Sequence, residues 1–361
     1  MTDKSSIGHN YKFDYIRITA CIMVVIIHVS ANLMSTVDVR SIDYAVLSSL
    51  NGIGFAGVNL FVMISGALML DPEKEISIKR LLCHNVLRLL AVWYIWTFIY
   101  MVSYHFRTGF HSKDEFINLL RSFLCADGTY HLWFIPMLAG LYLLTPVVKP
   151  AFSDIKILRY YVILFAIIQI AIPFVLTFRF SGRSVLLDMS QSQPLVAITG
   201  YLGYYVLGRW LYVEKFSEKT TRMLLILSGT VVICLSAFSV VRSIQSDTMW
   251  LELNSTFTPI AGFGAVFVFT LINSVMGKNE QNIVAGKPKS LRKKIVSFFA
   301  AQTFGIYLIH PMILNVLSKT DMFQNIPAVC AAVITLLITI SAALLITVVV
   351  RMIPKVGKFI M

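Results

Sequence analysis

Long uncharged apolar runs recur along the whole chain, separated by short stretches that hold nearly all of the lysines and arginines. They are read at 16–34, 47–70, 84–105, 131–148, 157–178, 194–213, 222–241, 256–276, 295–318 and 327–350. Periodicity cannot separate helix from strand inside a fully apolar run, but length can. A spanning helix needs roughly 20 apolar residues, whereas a barrel strand needs only about 10 of alternating polarity. Lipid offers no hydrogen bonds, so each run is expected to satisfy its own backbone as a helix. The pattern predicts an all-α polytopic membrane protein, with about ten transmembrane helices in one bundle. Residues 1–361 form a single integral-membrane domain in this reading.

Composition agrees with that pattern. Of 361 residues, 57% are hydrophobic and 14% charged, and mean hydropathy is +0.76. Soluble chains carry about 25% charged residues. The difference excludes an ordinary cytosolic enzyme, a disordered chain and a coiled coil. The net charge of +13 would suggest nucleic acid in a soluble protein. Here the basic residues fall in the connections, so no nucleic-acid partner is expected, and membrane orientation accounts for the charge.

With the N-terminus placed in the cytoplasm, 22 basic residues fall inside and 8 outside, with Arg88 inside a span. That asymmetry predicts both termini cytoplasmic and an even number of spans. Asp14 and Arg17 interrupt the first apolar stretch and no small-residue cleavage site follows, so the first span is expected to be retained. Five scattered cysteines (Cys21, Cys83, Cys125, Cys234, Cys330) show no CxxC spacing, which argues against a disulfide framework or a metal site.

Ionisable groups inside spans are costly and therefore point to function. Arg17 and His28 are 11 residues apart, close to three helical turns, so they share a face about 16 Å apart along the axis. Asp14 lies one turn before Arg17 and can orient it. Arg17 can equally anchor the helix at the headgroups, and His28 can be a hydrogen-bonded structural histidine. Arg80, His84 and Arg88 follow an i, i+4, i+8 spacing that would line one side of the third span. Positive-inside anchoring explains Arg80, while Arg88 is deeper and needs a partner. Arginines at this rim could clamp an anionic ligand, because guanidinium matches phosphate in bidentate fashion.

Near the outer face, His131-Leu132-Trp133-Phe134 opens the fourth span, where Trp133 is either a belt residue or a binding residue. The ninth span carries Tyr307 and His310 before Pro311, which is expected to break the hydrogen-bond ladder and bend the helix towards a cavity. Ser65 and Gly66 in the second span suit close helix packing. GxSxG, P-loop and HExxH motifs are absent, as are paired carboxylates within a span. A coupled transporter more often shows such a carboxylate. A transporter or flippase of a lipid-linked glycan remains the alternative to an enzyme.

Together these residues resemble the acyltransferase 3 family of bacterial inner-membrane O-acyltransferases. The resemblance rests on Asp14-Tyr15-Ile16-Arg17 through His28, on Phe61-Val62-Met63-Ile64-Ser65-Gly66, on His131-Leu132-Trp133-Phe134 and on Gly305-Ile306-Tyr307-Leu308-Ile309-His310. One departure is the run Arg80 to Leu90, which lacks the proline often found there in the family. The resemblance implies acetyl-coenzyme A as a donor substrate from the cytoplasm, no permanently bound cofactor, and a hydroxyl of an envelope glycan as acceptor. Within the family, the chain is similar to short members that O-acetylate enterobacterial common antigen. On this reading His28 and Arg17 are catalytic. Arg17, Arg80, His84 and Arg88 hold the coenzyme, and His131, Trp133, Tyr307 and His310 bind the acceptor. Membrane lipid is a further partner, and a homo-oligomer is left open.

Overall fold

A computed structural model describes residues 10–108, 117, 121, 131–178, 200–280, 291–320, 325–354 and 357–360. The first six residues of the expected 194–213 span, and most of the 106–130 and 277–294 connections, lie outside the described residues. The described residues are helical, with no strand among them. Among the described residues, eight helices are long and apolar enough to cross a membrane.

The helices follow the apolar runs closely. They are α1 (Tyr11–Met34), α2 (Ile42–Gly54), α3 (Ala56–Met69), α4 (Leu87–Thr108), α5 (Phe134–Val148), α6 (Ile155–Phe165), α7 (Gly200–Val213), α8 (Glu218–Ser246), α9 (Pro259–Glu280), α10 (Leu291–Leu317) and α11 (Ala328–Arg351). Helices α2 and α3 make up one span, interrupted at Phe55. Among the described residues, the expected spans at 131–148 and 194–213 appear as α5, of 15 residues, and α7, of 14. Neither is long enough to count among the eight.

Caps mark several ends. Asn10 accepts from the Lys12 amide at the start of α1, Ser41 from Tyr44 at the start of α2, and Ser217 from Thr220 at the start of α8. These side chains satisfy amides that the first helical turn leaves unpaired.

Two stretches of π-helix revise the expected geometry. One, Leu81–Val86, links the short turn Ile78–Arg80 to α4. The other, Ala166–Ala171, follows α6. A π turn holds more residues than an α turn, so positions four apart no longer stack. The regular Arg80/His84/Arg88 stripe is therefore broken between its first and last members.

Helix α3 packs along α7, and α1 lies against α2, α3 and α10, with α11 behind α10. Glycines set the closest approach. A Cβ on Gly66 of α3 would lie 1.8 Å from the Tyr205 carbonyl oxygen, and one on Gly208 of α7 would lie 2.1 Å from that of Met63. The two backbones touch because neither glycine has a side chain, the small-residue packing expected for Gly66.

Polar ties gather at the two ends of the bundle. At the Arg17 end, Arg209 is 7% exposed and donates to Asp71 at 3.2 Å and to the Ala67 carbonyl at 3.3 Å. Nearby, Arg159 makes a two-pronged bond to Glu214 at 2.7 and 2.9 Å. At the opposite end Arg40 pairs with Asp247 at 3.1 Å.

Candidate active site

Three histidines from distant parts of the chain converge inside the bundle. His28 comes from α1, His131 from the turn before α5, and His310 from α10. The His28 and His310 rings stack with centroids 5.1 Å apart and planes 29° apart. The His131 ring meets His310 edge-on at 5.9 Å, and Tyr100 meets His131 at 4.8 Å. His131 and His310 are buried, while His28 is only partly so. Beside them is a cavity of about 70 Å³, lined by His28, His131, Tyr307, Phe61, Trp133 and Thr256 among others. That is the share of roughly two water molecules, or room for the reacting end of a small acyl group.

Hydrogen bonds hold the chamber walls in place. The Tyr307 hydroxyl donates to the His131 carbonyl, joining α10 to the turn before α5. Tyr100 donates to the Leu308 carbonyl at 2.8 Å. Behind His28, the buried amide of Asn51 donates to the Ile27 carbonyl at 2.9 Å and accepts from Asn254 at 3.0 Å. Asn59 and Tyr204 both donate to the Thr256 carbonyl, at 3.0 and 2.8 Å. The segment 251–258 is thus non-helical backbone, exposed at Leu251 and Glu252 and buried at Leu253, Thr256 and Thr258, where side chains satisfy it and it lines a cavity.

Pro311 sits inside α10, which is helical from Leu291 through Leu317, and the gap it leaves in the hydrogen-bond ladder is met by a side chain. Proline lacks the N–H that would bond the carbonyl four residues earlier, which is that of Tyr307. His310 Nδ1 lies 2.7 Å from that oxygen. A carbonyl can only accept, so Nδ1 carries the proton, and Nε2 of the neutral ring presents its lone pair. Nε2 is buried and has no hydrogen-bond partner among the described residues. The His-Pro pair thereby repairs the helix and fixes the tautomer in one contact.

Arg17 lies three turns from His28, at the end of α1 nearer its N-terminus. Its guanidinium is 3.4 Å from Asp14, which is 2% exposed and also accepts from Ser297 of α10 at 2.9 Å. Asp14 therefore orients Arg17, as its spacing predicted, and also ties α1 to α10. Tyr142 stands close to both Arg17 and Ser65. Between Arg17 and His28 the chamber reaches down to Val24. One turn lower, Cys21 is 4% exposed and donates to the Thr303 carbonyl of α10 at 3.6 Å, closing the shared face.

The remaining candidates are placed differently. Arg80 and His84 are exposed at the start of the third span. Arg88 does have the partner its depth required, but this is the Phe359 carbonyl at 3.3 Å, next to Trp96 donating to Ile360 at 3.0 Å. That corner holds the C-terminal segment. Trp133 is 40% exposed, with its ring 5.4 Å from that of Tyr201. Among the described residues no cluster of His, Cys, Asp or Glu could hold a metal ion.

Thr256, Asn254 and Asn51 were not picked out from the sequence. Asn51 carried a usable signal, being an amide inside an apolar run. Thr256 and Asn254 carried none, since they lie in what reads as an ordinary connection.

The fold and this chamber define a multi-pass helical membrane protein whose conspicuous chemistry is a set of buried imidazoles. A family model described as an acyltransferase domain matches residues 10–350. The chain belongs to that family, acyltransferase 3, and is a membrane acyltransferase. Neither the curated proteins nor the solved structures give a match.

Proposed function

We propose that the protein is an O-acetyltransferase of the bacterial inner membrane, moving an acetyl group from acetyl-coenzyme A to a hydroxyl of a cell-envelope glycan. In this reading it acts like the short members that O-acetylate enterobacterial common antigen. The observation that supports this most is the convergence of His28, His131 and His310 on one small chamber above an oriented arginine. In the proposal both termini are cytoplasmic, and Arg17 faces the side from which coenzyme A arrives.

Arg17 holds a phosphate of the donor, held in turn by Asp14. Arg80 and Arg88, at the same rim, supply further positive charge, and His84 a ring N–H. The pantetheine arm follows the Arg17–His28 face, which requires α1 and α10 to part at Cys21 and Thr303. A ring nitrogen of His28 takes the proton of the acceptor hydroxyl as its oxygen attacks the thioester carbonyl. The carbon–sulfur bond breaks, and the proton passes to the departing thiolate, giving free coenzyme A and the acetyl ester. Transfer through an acetyl-histidine differs only in which atom attacks first. His131, Trp133 and Tyr307 form the wall on the acceptor side, with His310 packed behind it against the His28 and His131 rings.

The test uses purified protein in lipid with radiolabelled acetyl-coenzyme A. His28→Ala should insert and keep its thermal midpoint, yet lose label transfer by about 10²-fold or more. Undiminished transfer by that variant would refute the assignment. Movement of intact glycan without label would instead support a flippase.

A further inference from the structure

The chamber beside His28 is narrow, about 70 Å³, and lined mostly by apolar side chains. It suits a reacting hydroxyl and an acetyl group, and offers the other hydroxyls of a saccharide few partners. At the end of the bundle opposite Arg17 there is an open cleft of about 860 Å³, within the range of small-molecule sites. We propose that this cleft, built on Trp250, Arg242, Gln245 and Glu252, binds a saccharide segment of the acceptor. This rests on the acyltransferase reading above and assigns the glycan a site of its own.

The walls have the chemistry a sugar needs. Phe238 and Phe178 pack with ring centroids 5.8 Å apart, and Phe238 meets Trp250 edge-on at 5.7 Å. These give apolar ring surface against which the C–H face of a pyranose can lie. Around them Gln245 and Glu252 line the cleft with polar groups able to bond sugar hydroxyls, while the Ser246 and Thr248 hydroxyls are tied to one another and to backbone carbonyls.

Arg242 has its guanidinium carbon 6.0 Å from the Trp250 ring centroid and reaches Gln245 Oε1 at 3.4 Å. Among the described residues, neither Arg242 nor Glu252 makes an ion pair with the other or with any neighbour. Charged groups in a cleft that do not neutralise one another remain available to a ligand.

The tryptophan is held rather than loose. Its amide donates to Ser243 Oγ at 3.0 Å, and its carbonyl accepts from Ser239 Oγ at 3.2 Å. The same connection then runs inward. Leu253 is fully buried, Asn254 donates to the Asn51 side chain and to the Ser48 carbonyl, and Thr256 lines the histidine chamber. One short segment therefore supplies a wall to both the cleft and the reacting centre.

The test measures binding without any donor, so it does not depend on whether the enzyme transfers acetyl groups. Saturation-transfer NMR is recorded on the full chain in nanodiscs with two probes, chitotriose as a neutral sugar and trigalacturonate as an acidic one. At least one should bind the wild type, and Trp250→Ala should weaken it at least tenfold at an unchanged thermal midpoint. If Trp250→Ala unfolds, the exposed Glu252→Gln and Gln245→Ala carry the test, each expected to weaken binding severalfold. Binding of neither probe, or binding indifferent to the folded variants, overturns the proposal. If sugar binding holds while the His28→Ala experiment fails, the cleft stands and the catalytic reading alone is lost.

Discussion

Alanine at Gly66 probes the contact that positions α3, the helix that brings Phe61 to the chamber. The added Cβ would lie 1.8 Å from the Tyr205 carbonyl oxygen, 2.5 Å from its carbon and 2.8 Å from its Cα. All three are backbone atoms, so no side-chain rotation relieves the clash. Carbon and carbonyl oxygen tolerate about 3.3 Å at closest, so α3 and α7 must separate by roughly 1.5 Å. A gap of 0.5–1 Å already forfeits about a quarter to a half of a dispersion contact, and it would open along the whole α3–α7 seam. Overpacking of this kind costs about 1–3 kcal/mol, and occasionally more; a clash against rigid backbone belongs at the upper end, near 3 kcal/mol.

Gly140→Ala on α5 is the control, because a Cβ there meets nothing within 4 Å. It should be neutral or gain up to about 1 kcal/mol from the better helix former. Gly208→Ala should match Gly66→Ala, and the double variant should cost less than the sum, since the first Cβ already parts the helices. The assay is the thermal midpoint in lipid, together with acetyl transfer. A Gly66→Ala protein with the midpoint and activity of Gly140→Ala would refute the packing argument.

Pro311→Ala should restore an amide that bonds the Tyr307 carbonyl, releasing the His310 Nδ1 proton from its fixed site. We expect a thermal midpoint that holds or rises and about tenfold slower transfer, with the imidazole ¹⁵N spectrum showing mixed tautomers; a single unchanged tautomer would contradict it. At the Arg17 end, the hydrogen bonds from Arg159 hold the Glu214 carboxyl below its ordinary range. The stability from this pair is present above the usual glutamate range and lost as pH falls through the lowered value. Glu214→Gln should therefore blunt the acid side of the unfolding profile by a small amount, because Arg159 is half-exposed and solvent screens the pair. An acid limb identical to that of the wild type would show that the pair contributes nothing.

The membrane class and the placement of the helices were legible in the sequence because both are local. Lipid leaves a polar backbone no partner but its own segment, so a run of about 20 apolar residues declares its conformation without reference to the rest of the chain. The Asp14–Arg17 tie and the packing role of Gly66 were legible for the same reason: one followed from helical spacing, the other from side-chain size. The stripe of Arg80, His84 and Arg88 failed where an α-helical period was applied across a π turn, which apolar composition does not reveal. The missing amide at Pro311 was legible, but the imidazole that meets the Tyr307 carbonyl in its place was not.

Only the tertiary structure could bring residues 28, 131 and 310 into ring contact. That convergence depends on how helices distant in sequence pack, and in a uniformly apolar chain no pattern of polarity records the pairing. The same holds for the segment from Trp250 to Thr256, whose role comes from being drawn into the bundle by Asn51 and Asn59, side chains some 200 residues away.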